Sequence, residues 1–558
     1  MNASRLNLEG LGPEATAHGA GVELPVSRRR EGAIACAAAL LAAGYLLVYL
    51  HYDVLHADEG IGLEAAERIL RGQVMYRDFF SFFTPGSGYW LALLFRVFGD
   101  SMTTAHAALV GYGAAFSGLV YLIARRAASR RMALLAAGLV ALDSLPFRFL
   151  MLHNWDSTLL ALAGYYAVLR WWQRPRQAFA LAAGALTALT FLFNQAKGAG
   201  LAAGLLLGWA LLARIEGRTR WNRRQAAAFT LGLLGPLALT AGYFAAQHCL
   251  GLMLRDWFWP LAHYRTPNAC PYGYFPPGPG RVSILSAGSG PARLLIAWLL
   301  SPLLVVDLLP WLAAGIVAFL FCGCRAAAPS GARRAYFALI ASLMTGSLFG
   351  LLATNRPGGA ELLMAFPLYA PALAWLLDRP SASRLRRIAP AAAVLVGLSF
   401  SCLGLAWLWP RRAARIGLVT RRGRLVLPQT DRVLPYLTAH TRPGNRIYVY
   451  PYQPVYYYLS ATRNPTRYEF LALGQNTRRQ YLRAVAELKR HPPRLVLYDP
   501  GFYAQNGADW PSIALPAFAR ITPVEQYLLR QFQPCRRLCS ATGWNYLLLA
   551  PRRQACPR

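Results

Sequence analysis

Along this chain, apolar blocks of roughly twenty residues recur, separated by short segments rich in arginine. A helix of about twenty residues crosses a ~30 Å hydrocarbon core. In lipid only internally hydrogen-bonded backbone is tolerated. The pattern therefore predicts an α-helical polytopic membrane protein, and it lacks the short alternating segments of a transmembrane β-barrel. About eleven spans are expected, near 32–51, 102–124, 132–150, 154–172, 177–193, 196–213, 226–249, 293–322, 335–353, 361–378 and 388–409. Residues 1–31 read as a cytoplasmic tail. Glu9, Glu14 and Glu23 and the lack of an apolar core argue against a signal peptide there.

The net charge of +34 invites a nucleic-acid reading. The placement of the charge argues against it. Arginines cluster in 125–131, 170–176, 214–225, 323–334 and 379–387, every second loop of the eleven-span arrangement, and the loops between are sparser in basic residues. That is the positive-inside pattern. It places 52–100, 250–292, 354–360 and the C-terminal region on the outer face. Only Lys197 and Lys489 break the use of arginine for positive charge.

After 410 the apolar blocks stop, and the transmembrane region is taken as 32–410. From 425 to 558, strand-like runs at Arg446–Tyr450, Leu495–Tyr498 and Tyr546–Leu549 flank an amphipathic segment, Gln475–Arg490. A small C-terminal α/β domain on the outer face is expected. Of the nine cysteines, Cys36, Cys322, Cys324 and Cys402 lie in or beside apolar blocks as packing residues. Cys535, Cys539 and Cys556 allow one bridge in an oxidising compartment, without fixing which pair forms it.

The most informative stretch is the first outer loop, 52–100, with His56-Ala57-Asp58-Glu59-Gly60. Ile61, Ala65, Ala66, Ile69 and Leu70 share one helical face, and Glu64, Glu67, Arg68 and Arg71 the other. This predicts an amphipathic helix in the membrane surface, with Asp58 where an N-cap would stand. Capping alone is the plain reading of Asp58. Two adjacent carboxylates at the end of a membrane helix are costly, however, and point to function.

Asp58-Glu59-Gly60, Gly72, Tyr76-Arg77-Asp78, Pro85, Tyr89 and Phe98-Gly99 resemble the first outer loop of GT-C superfamily glycosyltransferases. The nearest branch is the bacterial one related to protein O-mannosyltransferases and the lipid A aminoarabinose transferase. Tyr448-Val449-Tyr450-Pro451 and Asn464-Pro465-Thr466-Arg467-Tyr468 extend the resemblance into the outer domain.

The resemblance implies a hexosyl or pentosyl transferase at the inner (plasma) membrane, with its C-terminal domain periplasmic or extracellular. Its donor would be a polyprenyl-phosphate sugar in the bilayer, and its acceptor a hydroxyl on a protein, lipid or glycan. Transfer would be inverting, with Asp58 as general base and Glu59 beside it. No cofactor or metal is expected. Lys197, Arg356, Arg77 and Arg265 are the candidates for the donor phosphate, and Asp78, Asp156 and Tyr264 for other substrate contacts. The plainer readings are snorkelling for Lys197, ordinary solvation for Arg77 and Arg265, pairing with Glu361 for Arg356, and a helix cap for Asp156. Relatives carry an acid and a histidine after the arginine equivalent to Arg356. Gly358 and Glu361 stand here instead, so no histidine role carries over. The competing class is a transporter or flippase, which would more often show internal repeats and helices broken at mid-membrane. Convergence of Asp58, Lys197 and Arg356 on one outward-facing cavity separates the two readings. A receptor merely anchored by its membrane part needs fewer spans.

Overall fold

The computed structural model describes residues 28–216, 222–264, 268–274, 290–322, 332–378, 383–413, 416–502 and 521–557. In chain order the helices of the membrane part are α1 (Arg28–Leu46), α2 (Ala57–Leu70), α3 (Gly86–Phe98), α4 (Met102–Ala124), α5 (Arg130–Asp143), α6 (His153–Gln173), α7 (Gln177–Phe193), α8 (Gln195–Glu216), α9 (Arg223–Ala246), α10 (Leu250–Trp259), α11 (Pro291–Phe321), α12 (Ala332–Ala353), α13 (Gly359–Asp378) and α14 (Ser383–Ala413). Each apolar block contains a helix, and that at 132–150 is helical only in part. Among the described residues eight helices are long and apolar enough to cross a membrane. Leucines of α1 and α9 stay exposed, Leu40 at 73% and Leu239 at 78%, as lipid-facing side chains do.

The segments outside those eight explain the site. The block expected to span 132–150 is a 14-residue helix that ends at Asp143, and a 3₁₀ turn, Leu145–Arg148, carries the chain on. Pro146 in that turn cannot continue the ladder. α6 opens with the polar run His153-Asn154-Trp155-Asp156, and α7 has only 17 residues. A 14-residue helix is about 21 Å long, short of a ~30 Å core. α5 and α7 are both shorter than a full span, and the residues at and after their ends, Arg148, Phe191 and Asn194, border a cavity. α8 and α12 meet through glycine: a Cβ on Gly200 would lie 2.5 Å from the Gly346 carbonyl oxygen, so the backbones touch. Small residues allow such close approach in membranes, and here they fix Lys197, at the start of α8, against α12.

The C-terminal part opens with a hairpin, β1 (Ile416–Thr420) and β2 (Gly423–Leu427), and continues with α15 (Val433–His440), β3 (Ile447–Tyr450), α16 (Val455–Leu459), α17 (Arg478–Arg490), β4 (Leu495–Tyr498), α18 (Pro523–Gln531), β5 (Phe532–Cys539) and β6 (Asn545–Pro551). Its four-stranded sheet runs β3-β4-β6-β5, with β3 and β4 parallel and the other pairs antiparallel. Ile447 pairs with Leu495, and β3 is buried along its length. α17 starts with a Thr477–Gln480 capping box. Cys535 and Cys556 form the disulfide, and Cys539 is free.

The loop 52–100 lies between the two parts. α2 does not rest open on the membrane surface. Its polar face is buried: Glu64 is 3%, Glu67 2% and Arg68 6% exposed. Arg68 Nη1 donates to the Thr466 carbonyl at 3.2 Å, and Glu67 pairs with Arg422. The charges read as a solvent face are therefore a docking face for the sheet domain. Gly60 is the point of closest approach, since any Cβ there would lie under 3.0 Å from the Val455 backbone. Backbone bonds from Val426 N to His51 O (2.7 Å) and Phe80 N to Arg467 O (2.9 Å) complete the attachment.

Candidate active site

Between these helices lies a cavity of about 490 Å³, lined by residues of α2, α3, α6, α7, α8, α10, α12 and α13, by the connecting loops, and by Tyr452 and Phe470 of the C-terminal part. Asp58, Arg148, Lys197, Arg356, Asp156 and Glu361 all line it. The three residues whose convergence separates the two functional readings thus share one cavity. Much of the remaining lining is apolar, including Phe83, Leu91, Phe191, Trp257, Phe258 and Leu261.

Asp58 stands in the first turn of α2 and is not its cap. The cap is His56, whose Nδ1 accepts from Asp58 N at 3.1 Å. The Asp58 carboxylate is thereby free for other partners. Its Oδ2 accepts from Arg148 Nη2 at 2.6 Å and its Oδ1 from the Tyr452 hydroxyl at 2.6 Å. The side chain remains 36% exposed. Burial pushes the Asp58 carboxyl up, but His56, Arg148 and the Tyr452 hydroxyl pull it further down, and the group is held well below the ordinary carboxylate range. Burial first, then Arg148, pushes His56 down to about 4. At neutral pH the imidazole is uncharged, and Arg148 is the cation beside an ionised Asp58.

Lys197 Nζ donates to the Asn154 carbonyl (2.6 Å) and the Thr158 hydroxyl (2.7 Å), with Ser157 Oγ at 3.3 Å. These are neutral acceptors, and among the described residues no carboxylate forms an ion pair with Lys197. Arg356 Nε is 3.2 Å from Glu361 Oε1, and its Nη1 is 3.3 Å from Asn268 Oδ1. Asp156 is 3% exposed, and its Oδ1 accepts from Ser157 N at 2.7 Å. Leu152 takes the cap position of α6, so Asp156 does not cap that helix.

Other expected residues lie elsewhere. Glu59 points away from the cavity and is fully buried, with Oε1 accepting from Met151 N at 2.7 Å. Arg77 and Asp78 bind each other at 2.9 Å, and Arg77 Nη1 donates to Gln247 Oε1 at 2.9 Å. This pair ties the first loop to the end of α9 outside the cavity lining. Arg265 lies outside the described residues, as does the side chain of Tyr264. Sequence reasoning missed Arg148 and Tyr452. Arg148 carried a readable signal, a lone arginine near the end of the apolar block expected to span 132–150, where a charge is costly. Tyr452 carried none, because some 390 residues separate it from Asp58.

Residues 84–242 match the family model described as dolichyl-phosphate-mannose-protein mannosyltransferase. None of the curated proteins matches the chain in sequence. Among solved structures, ArnT from Cupriavidus metallidurans, crystallised with undecaprenyl phosphate, aligns with a TM-score of 0.50 and 14% identity over 94% of this chain and 99% of its own. The Archaeoglobus fulgidus oligosaccharyltransferase tethered to an acceptor peptide gives 0.50 and 13% over 93% of this chain and 74% of its own. AglB from the same organism, in complex with an inhibitory peptide and a dolichol-phosphate, gives 0.50 and 13% over 94% and 75%. At such identities the likeness is one of fold. The chain shares the fold of ArnT and of the Archaeoglobus fulgidus oligosaccharyltransferase, and its segment 84–242 matches the dolichyl-phosphate-mannose-protein mannosyltransferase family model.

Proposed function

We propose that this multi-pass membrane protein is a glycosyltransferase that moves a sugar from a polyprenyl-phosphate donor to an acceptor hydroxyl, with inversion at the anomeric carbon. The observation that carries the reading is the single cavity shared by Asp58, Arg148, Lys197 and Arg356. A transporter has no need to gather an ionised carboxylate and three cations at the outer ends of shortened helices.

In this reading the acceptor oxygen attacks the anomeric carbon from the side of Asp58 as the bond to the phosphate oxygen breaks. The hydroxyl proton passes to Asp58, and polyprenyl phosphate leaves with the bonding pair. A phosphate leaving group needs no proton, so one carboxylate suffices where a glycosidase uses two. A positioned base of this kind contributes roughly 10²–10⁴-fold. Lys197, which forms no ion pair with a carboxylate among the described residues, is the phosphate site, with Arg356 beside it. The apolar wall at Trp257, Phe258 and Leu261 suits the prenyl chain. Arg77 and Asp78, paired outside the cavity, have no part in this scheme, and Glu59 serves only from behind Asp58. The cavity opens to the outer face of the inner (plasma) membrane, on the side of the C-terminal domain.

The test is transfer from radiolabelled polyprenyl-phosphate sugars in membranes that contain wild type or Asp58→Asn. Transfer by the wild type and a loss of about 10²-fold or more in the variant are expected. Equal transfer by both removes Asp58 from the mechanism.

A further inference from the structure

Behind α2, on the side away from the cavity, Asp53, Glu59 and His106 come together with 1%, 0% and 0% exposure. A ligand atom from each lies within 4.8 Å of the others. None of the three lines the cavity. Asp53 comes from the connection between α1 and α2, Glu59 from the first turn of α2, and His106 from α4.

The hydrogen bonds leave this cluster short of a positive charge. His106 Nδ1 lies 2.9 Å from the Leu50 carbonyl, which can only accept, so Nδ1 holds the proton. In the neutral ring Nε2 is then a lone pair. It faces Glu59 Oε1 at 3.3 Å, another acceptor that already takes Met151 N. Asp53 Oδ1 accepts from Leu55 N at 2.6 Å. The remaining oxygens, Asp53 Oδ2 and Glu59 Oε2, are buried and have no hydrogen-bond partner among the described residues. Among the described residues no arginine or lysine forms an ion pair with either carboxylate. Acceptors facing acceptors in a dry interior are costly unless a cation lies among them.

We propose that Asp53, Glu59 and His106 hold one divalent transition-metal ion in a structural site separate from the transfer reaction. One imidazole nitrogen with two carboxylates suits zinc. A dication neutralises the two carboxylates. The bond from Nδ1 to the Leu50 carbonyl is the outer contact that orients a ligating histidine. The ion would tie the α1–α2 connection and α4 to the residue directly after Asp58, which fixes the start of α2. The proposal stands whether or not the transferase reading holds.

The experiment uses the untagged full chain in detergent, stripped with EDTA and reloaded with zinc chloride, with metal content measured by plasma mass spectrometry. About one zinc per chain is expected in the wild type, falling at least tenfold in Asp53→Asn and His106→Gln. No uptake by the wild type, or equal uptake by the variants, overturns the site and leaves a proton shared between His106 and Glu59. If a variant does not fold, zinc-edge X-ray absorption of the wild type decides. One imidazole with oxygen ligands supports the site, and sulfur ligands or no imidazole overturns it.

Discussion

Arg148 Nη2 lies 2.6 Å from Asp58 Oδ2 and 3.2 Å from His56 Nε2, so one guanidinium nitrogen bridges the carboxylate and the residue that caps its helix. Arg148 owes that position to the early end of α5 and the 3₁₀ turn that follows. With the Tyr452 hydroxyl on Oδ1, both oxygens of Asp58 have fixed donors before any substrate arrives. An acceptor hydroxyl then meets an oriented carboxylate, and preorganisation of this kind lowers a barrier without reorganisation at the moment of reaction.

Tyr452→Phe removes one charge-assisted bond and leaves Arg148 in place. Such a bond contributes about 1.5–3 kcal/mol, and the lower end of that range corresponds to a roughly tenfold fall in transfer. Arg148→Gln should cost more, about 10²-fold, and Arg148→Lys should recover part of the loss by restoring a cation. The readout is kcat with a labelled polyprenyl-phosphate sugar in proteoliposomes. Equal rates for the Lys and Gln variants would mean that charge at position 148 is irrelevant.

Lys197→Gln should weaken binding of polyprenyl phosphate by ten- to a hundredfold, roughly what one hydrogen bond to a charged group is worth. Gln removes the charge and keeps an N–H donor on a side chain one bond shorter. Titration of purified protein with undecaprenyl phosphate measures it directly. Unchanged affinity would return Lys197 to a snorkelling role.

The membrane helices were legible because their cause is local: twenty apolar residues must be helical in lipid whatever surrounds them. Asp58, Lys197 and Arg356 were legible for a related reason, since charge beside an apolar block is expensive and stands out. Partnership was not legible. Glu64, Glu67 and Arg68 carry the pattern of a solvent face, and only the sheet domain, some 400 residues away, turns it into an interface. Glu59 looks equivalent to Asp58 in the sequence, yet neighbouring positions on a helix point about 100° apart, and one faces the cavity while the other faces α4. The Arg77–Asp78 pair has the signature of a site but is satisfied by its own neighbours.

The Gly60 contact is a test of how the two parts hold together. Gly60→Ala forces the α2 backbone away from Val455 and should lower stability by about 1–3 kcal/mol, as overpacking does. Gly62→Ala is the matched control. A Cβ there meets only the Met151 carbonyl oxygen at 3.6 Å, an ordinary contact, and in a helix alanine is favoured over glycine by roughly 0.5–1 kcal/mol. Thermal unfolding followed by tryptophan fluorescence should show Gly60→Ala melting earlier and Gly62→Ala melting at or above the wild type. The reverse order would mean that α2 and the sheet domain are not in contact.

Glu64 sits on the docking face of α2 with Arg68 Nη1 at 3.6 Å. Burial pushes its carboxyl up to about 8, against the opposing pull of Arg68, Arg71 and Asn464, with Glu67 adding to the rise. Glu469, also buried, is raised well above its ordinary range by burial and by Glu64 itself. A carboxyl whose folded value is raised favours the folded state fully below the unfolded value of about 4.5. It loses that contribution as pH rises toward 8, because the unfolded chain releases the proton first. Glu64→Gln cannot ionise, and Arg68 keeps Gln73 Oε1 at 2.7 Å and the Thr466 carbonyl. The melting temperature of the variant should therefore gain on that of the wild type by about 2–5 °C between pH 5 and pH 8. A difference that stays flat across this window would mean that Glu64 is ionised in the folded protein, with Arg68 as its full counter-charge.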